Sequence, residues 1–111
     1  MSWDIMLIKT ASNAEAMECI DDSNIIPFDV HATAKILREN FAGITGDSDE
    51  WLDYESDTFA ISFDLSTEQH IMLYIHILDE PEDAVLPVVA KLCALFHCRA
   101  FDTTSAEFLD I

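Results

Sequence analysis

Basic residues are scarce in this sequence. Five Lys and Arg stand against 22 Asp and Glu among 111 residues, which gives a formal net charge of −17 at pH 7. Proteins bind nucleic acids and anionic membranes through Lys and Arg that neutralise phosphates. The balance therefore rules against both as partners and favours a basic protein. The alternative is that the acidic charge serves solubility alone.

Glycine is equally scarce, since only Gly43 and Gly46 are present. A chain with two glycines has little means of cradling a phosphate with backbone N–H groups, and no G-x-S-x-G or H-E-x-x-H motif occurs. Carboxylate pairs such as Asp53 and Glu55 could in principle serve as general acid and base, but no motif supports that role. We therefore expect that the protein is not an enzyme.

The cysteines are few and do not form a C-x-x-C pair. An odd number of such residues is typical of reduced thiols in a cytoplasm, and they are Cys19, Cys93 and Cys98. Cys93 and His97 are four residues apart, which suggests zinc, with Cys98 and His70 as further candidates. The spacing matches no recognised metal motif, and Cys93 lies beside an apolar helical stripe. We expect no metal and no cofactor.

Long apolar runs are absent too. The longest, residues 84–96, is interrupted by Pro87 and Lys91 and is shorter than the roughly 20 residues that a membrane helix needs. The opening residues 1–4 lack the cationic and apolar segments of a secretory signal. We therefore expect a cytoplasmic protein with a single domain over residues 1–111.

Four strands are predicted from alternating apolar residues. They cover residues 3–9, 58–65, 71–77 and 99–104. The first and third are apolar on both faces, which is typical of central strands. Residues 66–69 are polar and predict a hairpin connection between the second and third strands.

Two main helices are predicted from apolar residues three and four apart. The first covers residues 30–41, with Asp29 as its N-cap and Gly43 as its stop. The second covers about 79–96, and its regular part begins near Ala84 because Pro87 must fall in the first turn. Ser12 and Glu15 have the spacing of a capping box, which predicts a further short helix over residues 14–20.

Without that short segment, the order of elements is strand, helix, strand, strand, helix, strand. This order predicts an α+β fold of the ferredoxin-like βαββαβ type, a four-stranded antiparallel sheet with two main helices on one face. The predicted core unites six strand residues with two helical stripes. These are Phe59, Ile61, Phe63, Ile71, Leu73, Ile75; Val30, Ala34, Leu37, Phe41; and Val85, Val89, Leu92, Phe96.

The other face of the sheet has no main helix assigned to it. Its predicted residues are Met6, Ile8, Met72, Tyr74 and His76. If exposed, this face would be a dimer or partner surface. Residues 14–20 could instead fold across it and leave a satisfied core.

Residues 46–57, here called the acidic stretch, form the strongest candidate binding site. They place six carboxylates around two large aromatic residues without one Lys or Arg, and we predict a long loop here. Such crowding suggests a surface whose repulsion a basic partner relieves. The predicted partner-binding residues of the stretch are Asp47, Asp49, Glu50, Trp51, Asp53, Tyr54, Glu55 and Asp57. The alternative is a solvated loop whose two aromatic residues turn inward.

A second acidic group follows the third predicted strand. Its members are Asp79, Glu80, Glu82 and Asp83. Acidic residues suit a helix N-terminus, whose free N–H groups favour negative charge. They could also share the predicted interface with the acidic stretch.

Several segments resemble a group of small bacterial proteins. They are the opening Met1–Ile5, the aspartates and Trp51 that lead into Phe59–Phe63, the strand Ile71–Ile75 and the closing Ala100–Asp110. Relatives in this group commonly carry a glycine near Ala106. Combined with its acidity, the chain also resembles the immunity proteins of contact-dependent growth inhibition systems. That resemblance implies a protein that neutralises a delivered toxin by binding it, in many cases over the toxin's active site.

We therefore expect a monomeric immunity protein whose partner is a cognate basic toxin, a ribonuclease or other nuclease. Nuclease toxins are usually basic because they hold a polyanionic substrate, which matches a charge of −17. The alternative is a small regulatory or ligand-binding α+β domain.

Overall fold

The computed structural model describes residues 2–21, 23–78 and 84–110. Within them lie six strands and two α-helices. In chain order these are β1 (Ser2–Ile8), α1 (Val30–Asn40), β2 (Trp51–Glu55), β3 (Phe59–Asp64), β4 (Ile71–Ile77), α2 (Leu86–Phe96), β5 (Arg99–Asp102) and β6 (Glu107–Phe108).

The strands form one antiparallel sheet in the order β2-β3-β4-β1-β5-β6. β1 and β4 occupy the centre, as predicted from their two apolar faces. Ile5 pairs with Leu73, and Ile61 pairs with Ile75, so the buried residues of neighbouring strands lie opposite one another. The prediction of an antiparallel sheet in an α+β domain is confirmed.

The predicted number of four strands is wrong, because the sheet has six. β2 lies within the acidic stretch, where we predicted a loop, and pairs along its length with β3. β6 is a two-residue strand that pairs with β5 after a turn in which Ala106 has a φ of 57°. β2 reads W-L-D-Y-E, and its two acidic residues lie within a longer acidic stretch, which makes its alternation hard to recognise in the sequence.

Helix α1 begins where its cap predicts. The Asp29 carboxylate accepts a hydrogen bond from the Ala32 backbone N–H, which satisfies one of the free donors of the first turn. Ala34 and Leu37 are fully buried, and Phe41 follows the helix in an extended conformation. Gly43 then takes a φ of +84°, a conformation that suits glycine.

Helix α2 starts at Leu86, and Pro87 lies in its first turn, where no N–H is lost from the helical ladder. Val89, Leu92 and Phe96 are buried, as the predicted stripe requires. The helix ends at Phe96, and the C-cap residue His97 has a left-handed backbone and donates a hydrogen bond from its N–H to the Cys93 carbonyl. The acidic residues predicted to begin this helix, 79–83, lie outside the described residues.

The predicted short helix over residues 14–20 is wrong in extent. A single 3₁₀ turn, Met17–Cys19, occurs instead. The Ser12 N–H donates to the Glu15 carboxylate, but the Ser12 hydroxyl donates to Glu15 and accepts from Ala14, so the reciprocal half of a capping box is missing.

The core lies on one side of the sheet only. Residues of α1 and α2 join alternate residues of β1, β3 and β4 in one apolar cluster. Every strand residue of the predicted core is at most 5% exposed. The predicted register and helical stripes are therefore confirmed, with Val30 half-buried at the margin.

Candidate protein-binding surface

Strand β2 divides the acidic stretch between two sides of the sheet. Leu52 is fully buried, and the Tyr54 ring packs edge-on to Phe41 with centroids 5.4 Å apart. Because side chains alternate along a strand, Trp51, Asp53 and Glu55 lie on the opposite face. Tyr54 thus contributes to the core, and Trp51 is the aromatic residue that the stretch exposes.

The loop before β2 is tied to helix α1. One Asp49 oxygen lies 2.6 Å from Nδ1 of His31, and the other accepts a hydrogen bond from Arg38 at 2.5 Å. Arg38 also donates to the Ser48 carbonyl. The hydrogen bond from His31, and then that from Arg38, lowers the pKa of Asp49 below its usual 3.8. This carboxylate is already neutralised within the chain.

Gly46 lets the same loop approach the edge of β2. Thr45 exchanges two backbone hydrogen bonds with Asp53, of 2.9 and 2.8 Å. A Cβ atom on Gly46 would lie 2.6 Å from the Trp51 carbonyl oxygen, and its φ is +153°. A side chain there would force the loop away from β2, so glycine permits the contact.

The remaining predicted acids of the stretch are exposed. Asp47 and Glu50 lie on the loop, Asp53 and Glu55 on β2, and Asp57 in the turn that leads to β3. Among the described residues, Arg38 and His31 make ion pairs with Asp49 alone. The predicted residues of the second acidic group, Asp79, Glu80, Glu82 and Asp83, lie outside the described residues.

The face of the sheet opposite the helices is here called the open face. Register places on it Asp4, Met6 and Ile8 of β1; Trp51, Asp53 and Glu55 of β2; Ala60, Ser62 and Asp64 of β3; Met72, Tyr74 and His76 of β4; Arg99 and Phe101 of β5; and Phe108 of β6. All five residues predicted for this second face lie on it. It is both acidic and aromatic.

One corner of the open face is covered. Ile8 is buried there, and it is opposite Arg99 in the β1–β5 register. The Arg99 guanidinium lies 3.9 Å from the centre of the Phe108 ring and donates to the Glu15 carbonyl at 3.0 Å. Hydrogen bonds from Ser12 and then Thr10 lower the pKa of Glu15 to about 2. The chain after β1 therefore closes this corner.

Among the residues that the structure describes, none covers the other half of the open face, which is formed by β2, β3 and β4. Trp51 stacks on Tyr74 across β3, with ring centroids 5.9 Å apart and planes inclined by 20°. Asp64 lies directly opposite Trp51 in the β2–β3 register. The Asp53 carboxylate accepts a 2.7 Å hydrogen bond from the Ser62 hydroxyl, which orients it on the same face. Aromatic surface and carboxylates thus lie side by side.

Two members of this arrangement, Asp64 and Tyr74, were not among the partner-binding residues predicted from the sequence. Asp64 received no role because its strand was recognised by its apolar residues, and Tyr74 was placed on the second face without its neighbour Trp51. Reading W-L-D-Y-E as a strand paired with residues 60–64 would have brought Trp51 beside Tyr74. The alternation of Leu52 and Tyr54 was the available signal.

Two of the three cysteines, Cys93 and Cys98, are in hydrogen-bond contact. Within the described ranges, no three His, Cys, Asp or Glu side chains lie close enough together to hold a metal ion. A hydrogen bond with Cys93, with burial as the second cause, raises the pKa of the Cys98 thiol. Cys19 is exposed and distant in sequence from that pair.

Comparison with protein-family models, curated proteins and solved structures gives no match for this chain. In the part of the chain that the structure describes, no helix is both long enough and apolar enough to span a bilayer.

Proposed function

We propose that the protein is a cytoplasmic immunity protein that binds a cognate basic toxin and neutralises it. The toxin would be a ribonuclease or another nuclease, and the immunity protein would cover its substrate-binding surface with acidic residues. The resemblance to immunity proteins of contact-dependent growth inhibition systems suggests this role. The protein then acts by binding and performs no reaction.

The observation that carries the proposal is the uncompensated charge. The chain has 22 acidic residues, and Asp49 is the carboxylate that forms ion pairs among the described residues. Carboxylates without a partner on the same chain are available to Lys and Arg of another protein. Long-range attraction between opposite charges can accelerate such an association by about 10- to 10³-fold.

A nuclease groove suits this kind of inhibitor. Its Lys and Arg are arranged to bind the phosphates of a nucleic acid, and carboxylates can occupy the same positions. Asp53 and Glu55 lie on the same side of β2 as Trp51. A desolvated aromatic contact would slow dissociation, which charge alone does not achieve.

We also propose a finer description of the fold. The inner strands, in the order β3-β4-β1-β5, together with α1 and α2 correspond to a ferredoxin-like unit. On this view β2 is an addition at one edge, and that addition carries Trp51, Asp53 and Glu55. These three predicted partner-binding residues would then lie on a strand that is added to the ferredoxin-like unit.

The decisive experiment uses the toxin domain encoded beside the gene for this protein. Binding is measured by surface plasmon resonance at 50 and 300 mM NaCl, and inhibition is measured as residual RNA or DNA cleavage. We expect stoichiometric inhibition and an association rate that falls with salt. Asp53→Lys with Glu55→Lys should slow association and reduce its salt dependence.

Lys35→Glu is the control, because it changes the charge of one exposed residue on α1 rather than of the sheet. It should leave the association rate close to that of the unmodified protein or raise it slightly. A neighbouring toxin domain that is neither bound nor inhibited would refute the proposed function, whichever surface is involved.

A further inference from the structure

We infer that the uncovered half of the open face, centred on the Trp51–Tyr74 stack, binds arginine side chains of the basic partner. This inference rests on the proposed function and specifies the surface and the residue type that it recognises. It moves the centre of the interface from the loop of the acidic stretch to the sheet.

Exposure of two stacked aromatic rings is the first observation. Trp51 is 44% exposed and Tyr74 is 38% exposed, although most large apolar side chains of this protein are buried. At the other end of the open face, Arg99 and the chain after β1 cover the apolar residues. Nothing in the described residues covers the Trp51 end. Exposed aromatic rings of this kind are typical of the anchors of protein interfaces.

Charge identifies the occupant. None of the chain's five basic residues lies on β2, β3 or β4, because they are Lys9, Lys35, Arg38, Lys91 and Arg99. The carboxylates of Asp53, Asp64 and Glu55 lie on the same side of the sheet as Trp51. This half of the face would repel an acidic partner or a second copy of the chain and would attract a basic one.

Geometry favours arginine over lysine. A guanidinium is planar, so it can stack on an aromatic ring while its N–H groups bind a neighbouring carboxylate in a fork. Trp51 and Asp64 are directly opposite each other across β2 and β3, which brings both kinds of contact within one site. The protein already uses the stacked arrangement once, where Arg99 lies over Phe108 at 3.9 Å.

The loop of the acidic stretch is a weaker candidate for the centre. Asp49 is bound by Arg38 and His31 of the same chain, so a partner would have to displace them. Asp47 and Glu50 are exposed but have no large exposed aromatic ring on the loop itself. The loop would therefore contribute attraction at long range and little residence time.

The test uses two synthetic peptides, nona-arginine and nona-lysine, and isothermal titration of the full chain. We expect nona-arginine to bind several-fold more tightly than nona-lysine. Trp51→Ala should weaken the binding of nona-arginine by about fivefold, because the stacked contact is lost. It should also remove most of the preference for nona-arginine over nona-lysine. Trp51→Phe, which keeps an aromatic ring, should restore part of it.

Two charge-matched variants locate the site. Asp53→Asn with Asp64→Asn removes two charges from the open face, and Asp47→Asn with Glu50→Gln removes two from the loop. The open-face variant should reduce the preference for nona-arginine over nona-lysine. The loop variant should weaken the binding of both peptides by a similar factor, and that factor should be smaller than the loss of nona-arginine binding in the open-face variant. Circular dichroism is used to check that each variant is folded. When nona-arginine is added to the unmodified protein, the amide chemical shifts should change most at residues 60–64 and 72–76.

An arginine preference that survives in folded Trp51→Ala and Tyr74→Ala variants would overturn the inference. So would amide shifts confined to the loop or the helices. These outcomes differ from failure of the proposed function, which is loss of toxin binding by the unmodified protein. A chain that binds the peptide at Trp51 but not the toxin would retain the arginine site and lose its assigned biological role.

Discussion

At the scale of single residues, the fold depends on side chains that are fully enclosed. Leu73 is 0% exposed at the centre of β4, between strands β1 and β3. Leu73→Ala should lower the free energy of unfolding by about 2–5 kcal/mol, because a cavity remains after the methyl groups are removed. Urea denaturation followed by circular dichroism measures the loss.

Met72 is the matched control, since it is the next residue of the same strand and lies half-buried on the open face. Met72→Ala should lower the free energy of unfolding by less. If the two variants were equally destabilised, the assignment of the core to one side of the sheet would be wrong.

The two glycines provide a second comparison at this scale. Gly46→Ala places a Cβ atom 2.6 Å from the Trp51 carbonyl oxygen, whereas Gly43→Ala meets no atom within 4 Å. Both glycines have a positive φ, +84° at Gly43 and +153° at Gly46, which costs a side chain about 1–3 kcal/mol. The collision and the less accessible φ should both add to the loss at Gly46. Thermal unfolding of both variants tests this. Equal melting temperatures would contradict the close packing of the loop on β2.

At the scale of elements, sequence reasoning succeeded where apolar spacing dominates. β1, β3, β4 and the two helical stripes were predicted because Ile, Leu, Val and Phe recur at spacings of two, or of three and four. β2 was missed since W-L-D-Y-E carries two aromatic and two acidic residues, and its charge obscured its alternation. Trp51 and Tyr54 favour a strand, and pairing with β3 overrides the low strand propensity of Asp53 and Glu55.

The candidate site could be predicted only in part for the same reason. Charge density identified the acidic stretch, but charge does not reveal which residues of a strand share a face. The Trp51–Tyr74 contact joins β2 to β4 across β3, so it depends on tertiary register. The neutralisation of Asp49 likewise depends on α1 and the loop meeting in space.

The contacts of Asp49 with His31 and Arg38, which join the loop before β2 to α1 and are called the tie, should respond to pH. The hydrogen bond to Asp49, and then its charge, raises the pKa of His31 above its ordinary 6.5. A raised histidine pKa stabilises the folded state below about pH 6.5, and this contribution is lost as the pH rises through the folded-state value. The lowered pKa of Asp49 contributes above its ordinary 3.8 and is lost as the pH falls through the folded-state value.

The tie should therefore be strongest between about pH 4 and 6.5. NMR titration of the His31 imidazole should give a pKa above 6.5, and Asp49→Asn should return it towards 6.5. Asp47→Asn is the control. It removes the same charge two residues away, and Asp47 does not contact His31. An unchanged His31 pKa in Asp49→Asn would show that the contact does not form in solution.

At the scale of the whole molecule, the charge opposes self-association. Two copies that met through their open faces would bring carboxylates such as Asp53 and Asp64 of each together, with −17 on each chain. We expect a monomer at low salt over the concentration range accessible to light scattering. A dimer at 10 mM salt would contradict the assignment of the open face to a basic partner.

The same charge should make stability rise with salt. The acidic residues are distributed over a molecule with a radius of gyration of 13.5 Å, and the ion pairs found among the described residues are confined to Asp49. The Debye length falls from about 30 Å at 0.01 M salt to about 8 Å at 0.15 M, so added salt should screen much repulsion and little attraction. The urea midpoint should therefore increase over this range. A triple variant removes three exposed charges by the substitutions Asp47→Asn, Glu50→Gln and Asp110→Asn. Its urea midpoint at 0.01 M salt should be higher than that of the unmodified protein, and its midpoint should increase less with salt. A midpoint that is constant or falls with salt would mean that attractive pairs outweigh the repulsion of the excess acids.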